Sequence, residues 1–259
     1  MHFVSAHTVF KTVQILLFSF LLSCSMACSK SEEGEKPLSS ADEMLELIAR
    51  TGEHNGTMTL ADGSEWKYRI SVPEIPDGSK VPLLLNLHWS GGFDSYIESM
   101  RCLVEPAFKN SGYIIFSPRI GFGENWISEK NRNRVLEFLD LAKLHWPIDP
   151  NKIGVTGYSL GGTGCWNYAK DHEDYFSAAI PMAGAYFGAT KINIPMTVIH
   201  GTEDELYDYD FAVEVINDNN SKGSDITLIT AEGLSHQQAC LYSTYLITAA
   251  EWLKNEVWK

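Results

Sequence analysis

Basic residues are scarce in this chain. Twenty Lys and Arg stand against 33 Asp and Glu, a formal net charge of −13. A phosphate backbone needs a basic footprint, so this balance argues against a nucleic-acid partner. Cysteine is also sparse, five in 259 residues, and no two have the Cys-x-x-Cys spacing that frames many metal sites. Neither a metal nor another cofactor is expected. The apolar run from Val13 to Leu22 falls short of the roughly 20 residues a membrane span requires.

That run has another reading. It follows Lys11 and leads into small residues and cysteine, the pattern of a secretory signal. "LLSC", ending at Cys24, and "SMAC", ending at Cys28, both resemble the cleavage box of bacterial lipoproteins, in which the cysteine becomes the lipidated N-terminus. Leu21 favours Cys24, and the acidic "SKSEEGE" favours Cys28 by its resemblance to surface-export tethers. The expectation is a signal peptide over residues 1–23, a flexible tether over 24–40 and a catalytic domain over 41–259. The protein would be exported and held at the outer membrane or cell surface, or free in the periplasm. Its only contact with a membrane would be the lipid anchor, and it would be a monomer.

The folded part opens with "SSADEMLELIAR". Ser39 or Ser40 can cap a helix there, with Met44, Leu45 and Ile48 on one face. "TMTL" and "WKYRISV" flank "ADGS", an Asp-Gly hairpin signal. Then come short apolar runs: "VPLLLNLHW", "GYIIFSP", "IGVTG", "SAAIPMAG", "MTVIHG" and "ITLITAEG". Strands that are apolar throughout are those covered on both faces of a parallel sheet. Helical patterns lie between them, as where Val135, Leu139, Ala142 and Trp146 recur at helical spacing. The fold class is α/β, a mostly parallel twisted sheet with helices on both faces and an antiparallel N-terminal hairpin. Ligands bind at the carboxyl ends of such strands.

The chemistry-bearing residues fall at those ends. "GYSLG", Gly157 to Gly161, matches the G-x-S-x-G elbow, with a strand before it and a helix after. Ser159 is the candidate nucleophile, and a serine needs a base. His236, in "EGLSHQQ" past the last strand, is the candidate base. An acid must orient that base. Asp204 in "IHGTEDELYD" is the leading choice, with Glu203, Glu205 and Asp208 as competitors.

The order Ser159, Asp204, His236, together with "LHWSGG" after the first parallel strand, resembles the α/β-hydrolase superfamily. The stretch "IDPNKIGVTGYSLGGTGCWNYAKDHEDYFSAAIPMAG" is similar to secreted esterases of the feruloyl-esterase and polyhydroxybutyrate-depolymerase type. The resemblance implies an oxyanion hole formed by the Leu160 amide and an amide of the "LHWSGG" loop, from Trp89 or Ser90. It departs from the family pattern at Trp89, where glycine is usual. Only about a dozen residues separate Gly184 from Met196, too few for the helical cap many lipases carry, so an open site is expected. Trp89, Tyr158, Trp126 and Phe187 are its candidate substrate-binding residues. In this fold the helices bearing Cys102 and Cys240 cover one sheet face, which allows a disulfide between them. Cys165 reads as a small core residue.

These expectations converge on a serine esterase acting on bulky or polysaccharide-linked feruloyl or acetyl esters. A peptidase or thioesterase would use the same triad. A carbohydrate-binding lipoprotein without catalysis is the reading from another class.

Overall fold

The computed structural model describes residues 41–259. The expected signal, the tether, Cys24, Cys28 and the capping serines Ser39 and Ser40 lie outside the described residues.

A short helix, α1 (Ala41–Ile48), precedes the hairpin of β1 (Gly52–Thr59) and β2 (Glu65–Val72). Asp62 and Gly63 form its turn, with Gly63 at φ 77°, a conformation glycine adopts without steric cost. β3 (Val81–Leu87) leads to α2 (Ser95–Ser99), which runs on through a π-helical stretch, Met100–Val104, into a final turn, α3 (Glu105–Ala107). β4 (Ile114–Pro118), α4 (Glu129–His145), β5 (Ile148–Tyr158), α5 (Leu160–Asp171) and β6 (Ala178–Met182) follow. β7 (Met196–Gly201), α6 (Tyr209–Ser221), β8 (Ile226–Ala231), a 3-10 turn (Ala239–Tyr242) and α7 (Ser243–Trp252) complete the chain apart from a terminal π-helical turn.

The eight strands form one sheet in the order β1-β2-β4-β3-β5-β6-β7-β8. β1 and β2 pair antiparallel, β2 meets β4 antiparallel, and the remaining pairs are parallel. Side chains along β3 explain why its sequence lacks alternation. Leu83, Leu85 and Leu87 enter the core on one face with Phe116, Phe138 and Trp146, while Leu84 enters the other with Met100, Leu103 and Leu246. Phe116 stacks on Phe138 with ring centroids 3.9 Å apart, and the Trp146 indole donates to the Met44 carbonyl at 2.7 Å. α1 is thereby fastened to the end of α4.

Two local expectations are corrected. Leu45 is 47% exposed; α1 instead buries Met44 and Leu47, with Ile48 half-buried. The spacing i, i+3, i+4 puts those three on one stripe, and Leu45 lies outside it, roughly a quarter of a turn round from Met44. β8 is only partly covered along its middle because it is the sheet edge. No cap domain stands over the strand ends among the described residues; Gly184 to Pro195 is irregular chain between β6 and β7. No described helix is long and apolar enough to cross a membrane.

Cys102, in the π-helical stretch, is bonded to Cys240, in the 3-10 turn, and Cys165 is free and buried. The bridge closes a loop across 138 residues. Constraining that much unfolded chain stabilises the fold by up to about 5 kcal/mol on loop-closure entropy. Replacing both cysteines by serine should therefore lower the urea unfolding free energy by about 3–5 kcal/mol. A loss below about 1 kcal/mol would show that the unfolded state is not the one constrained.

Candidate active site

The site is built around a backbone that leaves no room for side chains. β5 ends at Tyr158 and α5 begins at Leu160, so Ser159 alone makes the reversal, at φ 57° and ψ −117°. A non-glycine residue there is strained and persists only where its surroundings hold it. Its amide donates to the Met182 carbonyl at 3.0 Å. A Cβ on Gly161 would collide with the Leu87 carbonyl, one on Gly162 with the Met182 carbonyl, and one on Gly157 with the Gly161 carbonyl. The glycines therefore let the first turn of α5 sit against the carboxyl ends of β3 and β6, and the Ser159 side chain emerges half-exposed.

Ser159 Oγ lies 2.8 Å from His236 Nε2. His236 Nδ1 lies 2.9 Å from Asp204 Oδ2 and 3.1 Å from Oδ1. Asp204 is buried and also accepts the Leu206 and Tyr207 amides at 2.9 and 2.8 Å. Burial works against its charge. The bonds from His236 and from the Tyr207 and Leu206 amides outweigh that and hold its carboxyl below the usual carboxylate range. The competing acids do other work. Glu205 Oε2 accepts the His236 amide at 3.0 Å, Asp208 caps α6 through the Phe211 amide, and Glu203 is exposed. The Tyr158 hydroxyl donates to the His236 carbonyl at 2.8 Å. His236 is thus fixed at both its peptide groups and both ring nitrogens.

The opposite wall carries Trp89. His88, just before it, is buried, and its Nε2 accepts the Ile120 amide at 3.1 Å. An amide only donates, so the ring proton is on Nδ1, which donates to the Trp89 carbonyl at 2.7 Å. The His88 carbonyl accepts the Trp126 indole N–H at 2.9 Å. Both peptide groups flanking Trp89 are therefore pinned. In a trans peptide the N–H opposes the C=O, so the Trp89 amide is directed away from Trp126. Burial pulls the His88 pKa from 6.5 down to about 4, which keeps the ring neutral.

Between the walls is an open cleft of about 470 Å³, lined by Trp89, Ser90, Tyr158, Ser159, His236 and Leu206 among others. The Trp89 and Tyr158 rings meet edge to face at 6.0 Å. Two expected lining residues are elsewhere. Trp126 is fully buried behind the Trp89 loop, in space left by Gly164, and holds His88 rather than substrate. Phe187 is 83% exposed and packs on Phe211, outside the cleft. Leu206, Gln237 and Leu241 line it without having been marked by the sequence, since nothing local tells which loop side chains turn inward. Among the described residues no cluster of three His, Cys, Asp or Glu could hold a metal ion.

Comparison with known proteins agrees with this architecture. The sequence pattern of the dienelactone hydrolase family matches residues 121–258. Over 134 residues the chain is 28% identical to the bifunctional acetylxylan esterase/xylanase XynS20E of Neocallimastix patriciarum. That match takes in 49% of this chain and only 20% of that protein. A thermostable esterase superposes with a TM-score of 0.67 at 23% identity, over 78% of this chain and 62% of its own. An S-formylglutathione hydrolase from Staphylococcus aureus does so with a TM-score of 0.66 at 14% identity, over 80% and 100%. At these identities the structures establish the fold, an α/β-hydrolase fold.

The neutral His88 makes stability depend on pH. Its folded pKa lies below its ordinary 6.5, so the native state binds fewer protons and this contribution is complete above about 6.5. It is lost as pH falls through about 4, and is on the order of 3 kcal/mol. Thermal melts should show that His88→Gln loses less stability than the parent between those two pH values. Equal losses would remove His88 as the cause.

Proposed function

The chain belongs to the dienelactone hydrolase family of the α/β-hydrolase superfamily, and from that premise we propose that this hydrolase acts on carboxylic esters through Ser159, His236 and Asp204. One observation carries the reading: a serine at positive φ whose Oγ is 2.8 Å from a histidine that in turn binds a buried aspartate. His236 Nε2 takes the Ser159 proton as Oγ attacks the ester carbonyl. Asp204 orients the ring and stabilises its cation. The amides of Trp89 and Leu160 receive the developing oxyanion, an interaction worth about 3 kcal/mol per donor in enzymes of this kind. His236 then protonates the leaving alcohol, and water, activated by the same histidine, frees the acyl group from Ser159.

The substrate class follows from the cleft. It is uncapped and has the Trp89 indole on one wall, features that favour a bulky or aromatic acyl group, or an ester attached to a polymer, over free lipid. The acetylxylan esterase in the name of the Neocallimastix patriciarum relative supports a polysaccharide-linked ester. Feruloyl and acetyl esters of polysaccharides are therefore the proposed substrates. Export with a lipid anchor at Cys24 or Cys28 is proposed with it. The Cys102–Cys240 bridge supports that location, because such bridges persist in oxidising compartments.

Ser159→Ala should reduce ester hydrolysis to below roughly a hundredth of the parent rate with an unchanged circular dichroism spectrum. Activity above that level would place the nucleophile elsewhere. Trp89→Gly should keep the backbone donor, so acetyl-ester kcat/KM should stay within about tenfold of the parent. The variant should lose roughly tenfold to a hundredfold of its preference for an aryl ester. Equal losses on the two esters would show that Trp89 supports the loop without selecting the acyl group.

A further inference from the structure

Asp204 is approached by two histidines, of which the proposed triad uses one. His200, near the end of β7, is fully buried. Its Nε2 lies 2.7 Å from the Tyr207 carbonyl and 3.6 Å from Asp204 Oδ2. A carbonyl only accepts, so Nε2 carries the proton. Nδ1 is left a buried acceptor with no partner among the described residues. Burial, the largest influence on this ring, lowers its pKa below the ordinary histidine value, in keeping with a neutral imidazole. An apolar side chain would fill the same place without an orphaned nitrogen, so the gain from histidine must lie on the Nε2 side.

That N–H acts on one turn. It fixes the Tyr207 carbonyl, while the Tyr207 amide donates to Asp204 Oδ1 at 2.8 Å, and the ring nitrogen lies 3.6 Å from Oδ2, beyond hydrogen-bond reach. The ionisable groups around the ring come from every neighbouring element. They are Asp204, Tyr207 and Asp208 from the segment after β7, His236 from the loop after β8, Tyr209 from α6 and Tyr186 from the chain after β6. Among them only His236 makes a hydrogen bond to Oδ2.

We propose that His200 is a positioning residue for the triad, whose N–H holds the Tyr207 carbonyl and with it the turn that presents the Leu206 and Tyr207 amides to Asp204, and so sets the pH at which His236 is free to act as base. The proposal rests on the triad reading above. Without that N–H the turn is free to move, the two amides hold the carboxylate less well, and more of its charge falls on His236 and favours its protonated ring. The acidic limb of kcat/KM then moves to higher pH.

The test is the pH profile of kcat/KM for phenyl acetate on the full chain and on His200→Gln, His200→Phe and His200→Met, with Ser159→Ala alongside. Glutamine keeps an N–H, and its limb should stay within about 0.2 pH units of the parent. Phenylalanine and methionine have none, and their limbs should rise by about half a unit or more, with a lower plateau. A lower plateau on an unmoved limb in those two variants would overturn the proposal. So would a shift in His200→Gln as large as in His200→Phe, or unfolding of both N–H-less variants, which would make the role purely structural. Activity surviving in Ser159→Ala would sink the triad reading instead, and that outcome is separate from the others.

Discussion

The site depends on a backbone contact more than on any side chain. The first turn of α5 lies so close to the ends of β3 and β6 that Gly161 and Gly162 touch the carbonyls of Leu87 and Met182 without space for a methyl group. That approach forces Ser159 into positive φ and turns its hydroxyl out of the sheet. It also brings the α5 N-terminus, with its unsatisfied amides, next to the loop that follows β3. The serine and the expected oxyanion donors are thus set by one packing event. The parallel order β3-β5-β6-β7-β8 then carries the segments bearing Asp204 and His236 to the same end of the sheet.

Around this frame, each reactive group is held by partners from different parts of the chain. His236 is held by Asp204, Glu205, Tyr158 and Ser159. Trp89 is held through His88 and Trp126. The Cys102–Cys240 bridge ties the helix behind the Trp89 loop to the segment just past His236, so the two walls of the cleft are linked covalently as well as through the sheet. Such pre-organisation suits a reaction in which charge develops briefly on an oxyanion and an imidazolium, because fixed donors need not reorganise when it does.

Much of this was legible in the sequence, for physical reasons. Glycines at fixed offsets around a serine have few uses besides a tight strand-to-helix reversal, so Ser159 stood out. Apolar runs bounded by turns gave the strands, and their ends gave Asp204 and His236. Asp204 led Glu203, Glu205 and Asp208 by its place after β7, and the turn geometry separates the four, which lie within six residues of one another. Trp126 and Phe187 were misplaced for a related reason. Both sit in loops at the correct end of the sheet, yet one packs inward behind the site and the other faces solvent. Side-chain direction in a loop is fixed by distant partners such as Gly164 and Phe211, which no local pattern reveals. His88 and His200 escaped for the same cause, since their partners Ile120 and Tyr207 are joined to them only by the fold.

The central claim is that Ser159 forms an acyl-enzyme. Rapid mixing with a p-nitrophenyl ester under conditions where deacylation is slow, followed by an acid quench and peptide mass analysis, tests it directly. The account predicts a burst of about one p-nitrophenol per protein and an acyl mass on the peptide that contains Ser159. Turnover without a burst, and with no acyl group on that peptide under any quench, would contradict it. So would an acyl group carried on another residue.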